Sequence, residues 1–173
     1  MKTVGIISDT HGKLNPKAYE GLVDCDAIIH AGDIGDPAVL RELKTIGPVY
    51  AVLGNNDFDE YGKLVNQFAR PVIEGVSFLV SHYPQAVRQS PEAEEVYDVC
   101  IHGHTHDPYI AIGEEAAPAV LRMCPGSTYR ARGFTQRGYG KITVDDGKVI
   151  NATLYNLEGE VVGSVSLDEG KLS

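Results

Sequence analysis

Long apolar runs are missing from this 173-residue chain. None approaches the roughly 20 residues that a membrane-spanning helix needs, so no membrane contact is expected. The opening stretch from Met1 to Asp9 has too short an apolar run, and meets an aspartate too early, to read as a secretory leader. Cysteine is scarce. Cys25, Cys100 and Cys124 are odd in number and show no CxxC spacing, which fits buried, reduced thiols in the cytoplasm rather than a disulfide framework. Positive charge is in short supply too, with 15 Lys and Arg against 24 Asp and Glu and a net charge of −9. Such a chain is not built to grip extended nucleic acid by its phosphates. Small phosphorylated substrates stay open, because bound cations reverse the local sign. Repeats, linkers and low-complexity tracts are also absent, and the length suits one domain over residues 1–173.

What is present follows an alternating order. Val4–Ile7 reads as a buried strand. Asn15-Pro16 and Asp36-Pro37 are helix starts, each a capping side chain before a proline at the first helical position. Ala27–His30 and Val49–Leu53 read as further strands. Strand, helix, strand, helix, strand implies right-handed crossovers and a parallel sheet covered by helices. A helix is expected over Glu60–Phe68, with Leu64, Val65 and Phe68 inward. Val72-Ile73 and Val76–Val80 flank Glu74-Gly75 as a hairpin. Ser90-Pro91 opens an acidic turn. Val96–Ile101, Tyr109–Ile112 and Ala119–Met123 read as strands, and Lys141–Val144 and Val149–Leu154 flank the hairpin signal at Asp146-Gly147. The second half is expected to be mostly antiparallel. Residues 158–173 read as an edge strand or a loose tail.

The informative pattern is positional. Asp9 with His11, Asp33, Asn55, His82, and His104 with His106 each follow directly on an expected strand. Ligands bind outside the carboxyl ends of strands in sheets of this kind. Carboxylate oxygen and neutral imidazole together suit Zn²⁺, Mn²⁺ or Fe²⁺. Seven donors are too many for one tetrahedral ion and suit two ions sharing a carboxylate, for which Asp33 is the candidate bridge. A pair of ions activates a water and binds phosphoryl oxygens, so the expected reaction is in-line attack of a metal-bridging hydroxide on a phosphate ester. No convincing Ser-His-Asp or Cys-His arrangement competes with it.

Asp9-Thr10-His11, Gly32-Asp33, Gly54-Asn55-Asn56-Asp57, His82 and Gly103-His104-Thr105-His106, in that order, resemble the calcineurin-like metallophosphoesterases. With Pro125-Gly126-Ser127, the chain is similar to the small bacterial and archaeal phosphodiesterase branch. The resemblance implies a four-layer αββα sandwich of two mixed sheets flanked by helices, with a di-metal site at the strand ends. It implies one ion held by Asp9, His11, Asp33 and His106, and a second by Asp33, Asn55, His82 and His104. It also suggests a small homo-oligomer. Much of that family carries histidine where this chain has Asn56. An asparagine is no general acid but can donate to a phosphate oxygen, which favours diesters or activated esters. Tyr83-Pro84 departs from the branch's glycine and histidine, and the tyrosine is expected to narrow the mouth of the site.

Other residues carry plainer expectations. Asp57 is expected to support the site, for example by bonding a ligating histidine. His30 and His102 read as core histidines. Arg130, Arg132 and Arg137 read either as a solvated loop or as phosphate contacts, with Arg130 the candidate. The rival to a hydrolase is an assembly subunit of the same fold without metal chemistry, which would have no reason to keep every donor. A processive nuclease would need a basic face that this chain lacks, whereas cleavage of short or cyclic nucleotides stays open.

Overall fold

The structure is a computed structural model that describes residues 1–89 and 95–167. The expected acidic turn at Ser90-Pro91 lies outside the described residues, as does the end of the tail. Twelve strands and three short α-helices are described. β1 (Lys2–Ile7), β2 (Ala27–His30) and β3 (Val49–Ala51) alternate with α1 (Pro16–Leu22) and α2 (Pro37–Leu43). Then come β4 (Phe68–Ala69), β5 (Val72–Ile73), β6 (Val76–Ser81), α3 (Ala86–Gln89), β7 (Val99–Ile101), β8 (Tyr109–Ile112) and β9 (Leu121–Cys124). The hairpin β10 (Gly138–Asp145) and β11 (Lys148–Asn156) follows, and β12 (Val161–Ser166) is an edge strand. No helix among the described residues is long and apolar enough to cross a membrane.

Both helix starts form as expected. Asn15 Oδ1 accepts from Lys17 N–H at 2.9 Å and Asp36 Oδ1 accepts from Ala38 N–H at 2.7 Å, each with proline opening the helix. The strands form two mixed sheets. The first has the order β12-β11-β10-β1-β2-β3, with β1, β2 and β3 parallel and the rest antiparallel. The second has the order β4-β6-β7-β9-β8. Most pairings in the second half are antiparallel, as expected, but at the centre of this sheet β6, β7 and β9 run parallel. The connections over residues 82–98 and 102–120 exceed the roughly one dozen residues that a parallel crossover requires.

The two sheets pack face to face. Val4, Ile6 and Ile29 from the first and Phe78, Val80, Val99, Ile101 and Met123 from the second are fully buried between them. The outer face of the first sheet is sealed by Ala18 and Leu22 of α1 and Val39, Leu40 and Leu43 of α2. The outer face of the second is covered thinly, by Val87 of α3 together with Tyr97. Arg122 on β9 is buried and donates to the carbonyls of Glu115, Ala116 and Ala117, fastening that segment beneath the sheet.

Some boundaries differ. β3 ends at Ala51, β7 begins at Val99 and β9 begins at Leu121. The helix expected over Glu60–Phe68 is instead one 3₁₀ turn, Asp59–Tyr61, followed by a bend at Gly62 with φ +83°. Glycine is a poor helix former and tolerates that conformation freely. The chain then turns back, so that Leu53 N–H donates to Asn66 O at 2.8 Å. Leu64, expected inward, is 95% exposed. Phe78→Ala, at the buried sheet interface, is expected to cost about 3–5 kcal/mol in urea unfolding. Leu64→Ala is expected to stay within about 0.5 kcal/mol of the parent, and a large loss there would contradict the exposed position.

Candidate metal centre

Each expected donor sits at the carboxyl end of a parallel strand. Asp9 and His11 follow β1, Asp33 follows β2 and Asn55 follows β3 in the first sheet. His82 follows β6, and His104 and His106 follow β7, in the second. The cluster therefore straddles the seam between the sheets. Backbone bonds draw the loops together: Asp9 N–H donates to Gly32 O at 2.9 Å, His11 N–H to Asp33 O at 3.0 Å and Gly103 N–H to His82 O at 3.1 Å. Asp9, His11, Asp33, His104 and His106 all hold positive φ, between 48° and 70°. Non-glycine residues rarely do so, and such conformations persist where surrounding structure enforces them. Two glycines make room. A Cβ on Gly54 would collide with Asp33 Oδ1, and one on Gly103 would collide with Ser8 Oγ and press on Asp9 Oδ2.

The second nitrogen of two histidines is already committed. His82 Nδ1 lies 2.7 Å from Ala31 O, and His106 Nδ1 lies 2.9 Å from Arg130 O. Facing carbonyls, both nitrogens must carry hydrogen and donate, which leaves each Nε2 with a lone pair. His82 Nε2 then faces Asn55 Oδ1 at 3.1 Å and His104 Nδ1 at 3.3 Å, and His104 Nδ1 lies 3.2 Å from Asn55 Oδ1. His106 Nε2 faces Asp9 Oδ1 at 3.1 Å. His11 Nε2 is buried with no hydrogen-bond partner, 3.9 Å from Asp9 Oδ1 and 3.7 Å from Asp33 Oδ2. Acceptors aimed at acceptors repel, and a buried orphan is costly. Protons or metal ions remove both faults. The spacing suits metals, because N and O ligands about 2.0–2.1 Å from a tetrahedral ion lie roughly 3.3 Å apart. Asp9, His11 and His106 form one group whose ligand atoms lie within 4.8 Å of one another, and Asp9, Asp33 and His82 form another.

The two carboxylates are held differently. Asp9 Oδ2 accepts from Ser8 Oγ at 2.6 Å and His104 N–H at 3.2 Å, so Oδ1 is the oxygen turned to the imidazoles. Burial alone would push the Asp9 carboxyl up. With protons on the rings, the His106 bond, the His82 charge and the Ser8 bond outweigh it and hold the group below the ordinary carboxylate range. Asp33 presents Oδ2 toward His11 and Oδ1 toward His82, at 3.7 and 3.6 Å, one oxygen to each side. Asn56 pins it, donating from its backbone to Oδ1 at 3.0 Å and from Nδ2 to Oδ2 at 2.9 Å.

Asp57 departs from the expected histidine contact. It accepts from the N–H groups of Gly54, Ile34 and Gly35 and from the Tyr61 hydroxyl, and so staples the Asp33 loop to the Asn55 loop. Burial opposes its ionisation, but those donors prevail and lower its pKa. Tyr83 packs against both His82 and His104, with ring centroids 5.2 and 5.3 Å away. Burial pushes the His104 imidazole down, with His82 adding to the effect. His30 and His102 are buried and satisfied. Gly32 N–H donates to His30 Nδ1 and His30 Nε2 meets Thr10 Oγ1, while His102 meets Gly103 O and the Tyr109 hydroxyl. Arg130 and Arg132 line a cavity of about 570 Å³ with His11 and His106. Arg137 does not reach that cavity. Two serines without an expected role also support the site: Ser8, directly before Asp9, and Ser127 of the Pro125-Gly126-Ser127 stretch. Ser127 Oγ donates to Asp9 O at 2.7 Å and accepts from Tyr129 and Arg130 N–H.

Known proteins resemble the chain in sequence and in fold. The sequence model of the calcineurin-like phosphoesterase superfamily domain matches residues 1–147, and the chain belongs to that family. It is 35% identical over 135 residues to a probable metallophosphoesterase of Methanothermobacter thermautotrophicus, covering 72% of this chain and 76% of that one. It is 32% identical over 140 residues to a phosphodiesterase of Methanocaldococcus jannaschii, covering 71% and 82%. Among solved structures, wild-type Vps29 of Entamoeba histolytica complexed with zinc shares the fold. The TM-score is 0.73 at 17% identity, covering 95% of this chain and 98% of that one.

Two pH effects follow. Metal binding must displace protons from the converging imidazoles, so affinity for Mn²⁺ or Zn²⁺ by calorimetry is expected to weaken on acidification. A flat profile would contradict the lone-pair assignment. Separately, burial lowers the His30 and His102 pKa values to about 4. The unfolded chain takes up these protons near pH 6.5 and the folded chain does not. Stability is therefore whole above that pH and is expected to fall on acidification toward pH 4, by up to about 1.4 kcal/mol per pH unit for each histidine. Urea unfolding against pH checks the slope, which His30→Gln should reduce.

Proposed function

We propose that this chain is a metal-dependent phosphoesterase acting by preference on phosphodiesters. The observation that carries it is the convergence of four imidazoles, two carboxylates and an amide oxygen at one rim, with lone pairs facing one another. The ligand sets proposed are Asp9, His11, Asp33 and His106 for one ion, and Asp33, Asn55, His82 and His104 for a second. Asp33 is the proposed bridge, because one of its oxygens faces His11 and the other faces His82. Mn²⁺, Zn²⁺ and Fe²⁺ all suit these donors.

Divalent cations there supply Lewis acidity toward phosphoryl oxygens and a nucleophile from water near neutral pH. The protein's share is positioning and charge. Ser8, Asn56 and the carbonyls of Ala31 and Arg130 fix the donors in one orientation. One Asn56 amide hydrogen is used on Asp33, and the other is left for a phosphoryl oxygen. Arg130 or Arg132 takes a second oxygen from the cavity side. Asn56 holds no titratable proton for a leaving alkoxide, which is why diesters and activated esters are the proposed substrates. Tyr83 crowds the His82–His104 side. Residues 1–173 are read as one domain, working in the cytoplasm as a small homo-oligomer. The assembly-subunit reading is disfavoured by the retention of every donor.

Protein stripped with chelator and reloaded with Mn²⁺ or Zn²⁺ is expected to hydrolyse bis(p-nitrophenyl) phosphate faster than p-nitrophenyl phosphate. Failure with every ion would move the assignment to an assembly subunit. His104→Ala and Asp33→Asn are each expected to lower kcat/KM by at least about 100-fold. Asn56→His is expected to raise turnover of alkyl phosphates by about tenfold or more, and an unchanged rate would remove the explanation for diester preference.

A further inference from the structure

Residues 116–144 contain no aspartate or glutamate, in a chain whose net charge is −9. Within that tract, the segment from Tyr129 to Arg137 carries Arg130, Arg132 and Arg137. Among the described residues, none of these three guanidinium groups makes an ion pair. The pairs that exist use the amino terminus, Lys17, Lys141 and the site histidines. Positive charge is thus concentrated and uncompensated on one loop of an acidic protein.

That loop separates two adjoining cavities. The first, of about 570 Å³, opens on His11 and His106. The second, of about 480 Å³, is lined by Arg137, Gln136 and Asn156. Tyr129, Arg130 and Ala131 line both, so the two cavities adjoin across this segment. The one carboxylate in the second cavity, Glu158, is neutralised by Lys17 Nζ at 2.7 Å. Tyr129 is 55% exposed and its ring sits 5.4 Å from that of His11, so an open aromatic face lies next to a candidate metal ligand.

A guanidinium grips phosphate through paired N–H groups, and an exposed aromatic face stacks a nucleobase without regard to its identity. A phosphodiester whose reacting phosphorus sits at the metal cluster would place its next unit on Tyr129 and a further phosphate beside Arg137. We propose that the second cavity is a subsite for that further phosphate, and that the favoured substrates are short 5′-phosphorylated nucleotide diesters. This rests on the phosphodiesterase reading. Water supplies the oxygen added to phosphorus and the proton that leaves on the sugar oxygen, so the step needs no other reactant. The acidic remainder of the surface repels longer strands, which keeps the substrate short.

The test compares three thymidine-type dinucleotides with the Mn²⁺-loaded full chain. One is 5′-phosphorylated, one lacks that phosphate, and one keeps it but has abasic sugars. The first is expected to exceed each of the others in kcat/KM by about tenfold or more, through a lower KM. Arg137→Gln should cut the preference for the 5′-phosphate to below about threefold, and Tyr129→Ala should do the same to the preference for a base. Turnover of bis(p-nitrophenyl) phosphate with no preference among the dinucleotides would overturn the subsite and leave the phosphodiesterase reading standing. A phosphate preference with no preference for a base would overturn the assignment to nucleotides. If nothing is turned over, the phosphodiesterase reading fails. Calorimetric binding of the same dinucleotides then judges the subsite, and equal affinities would sink it.

Discussion

The arrangement depends on one unfavourable contact. Lone pairs on His82, His106 and Asn55 and a negative oxygen on Asp9 are packed at hydrogen-bond distance from one another or from His104, with the Asp33 oxygens 3.6 and 3.7 Å from His82 and His11. Carbonyls of Ala31 and Arg130 enforce this by fixing the hydrogen on the far side of two rings. Much of the neighbouring structure bears the cost. Left-handed backbone at five donors, glycines against two carboxylates and an aspartate with four donors all hold in place groups that would otherwise separate. A site that must be forced together when empty is preorganised for cations.

The donors were legible in the sequence because each follows an apolar run, and runs of that kind end at one rim of a parallel sheet. The two prolines that open helices were legible for the same local reason. Other features lay beyond local reading. The chain over residues 60–68 carries apolar residues at helical spacing, yet Gly62 and pairing to the Val52–Leu53 segment decide its path. The parallel centre of the second sheet is set by the crossovers, whose length was visible but whose course was not. Ser127 reaches Asp9 across 118 positions, and Asp57 serves loops rather than a histidine. Such contacts are tertiary, and no periodicity announces them.

Two departures from the family pattern become intelligible together. Asn56 replaces a titratable group with a pair of amide hydrogens, one of which steadies Asp33. Tyr83 lays an aromatic wall on the His82–His104 side. The arginine-bearing loop lies elsewhere, lining a cavity with His11 and His106.

The placement of the donors on both sides of the seam has a mechanical consequence. His82 belongs to the second sheet, yet it holds Ala31 of the first and faces Asp33 across the join. A cation held by His82 and Asp33 would act as a rivet between two halves of the protein. Parting the sheets would then require ejecting the ion, and losing it to a chelator would loosen the halves, so that cation occupancy and mechanical cohesion would rise and fall as one quantity.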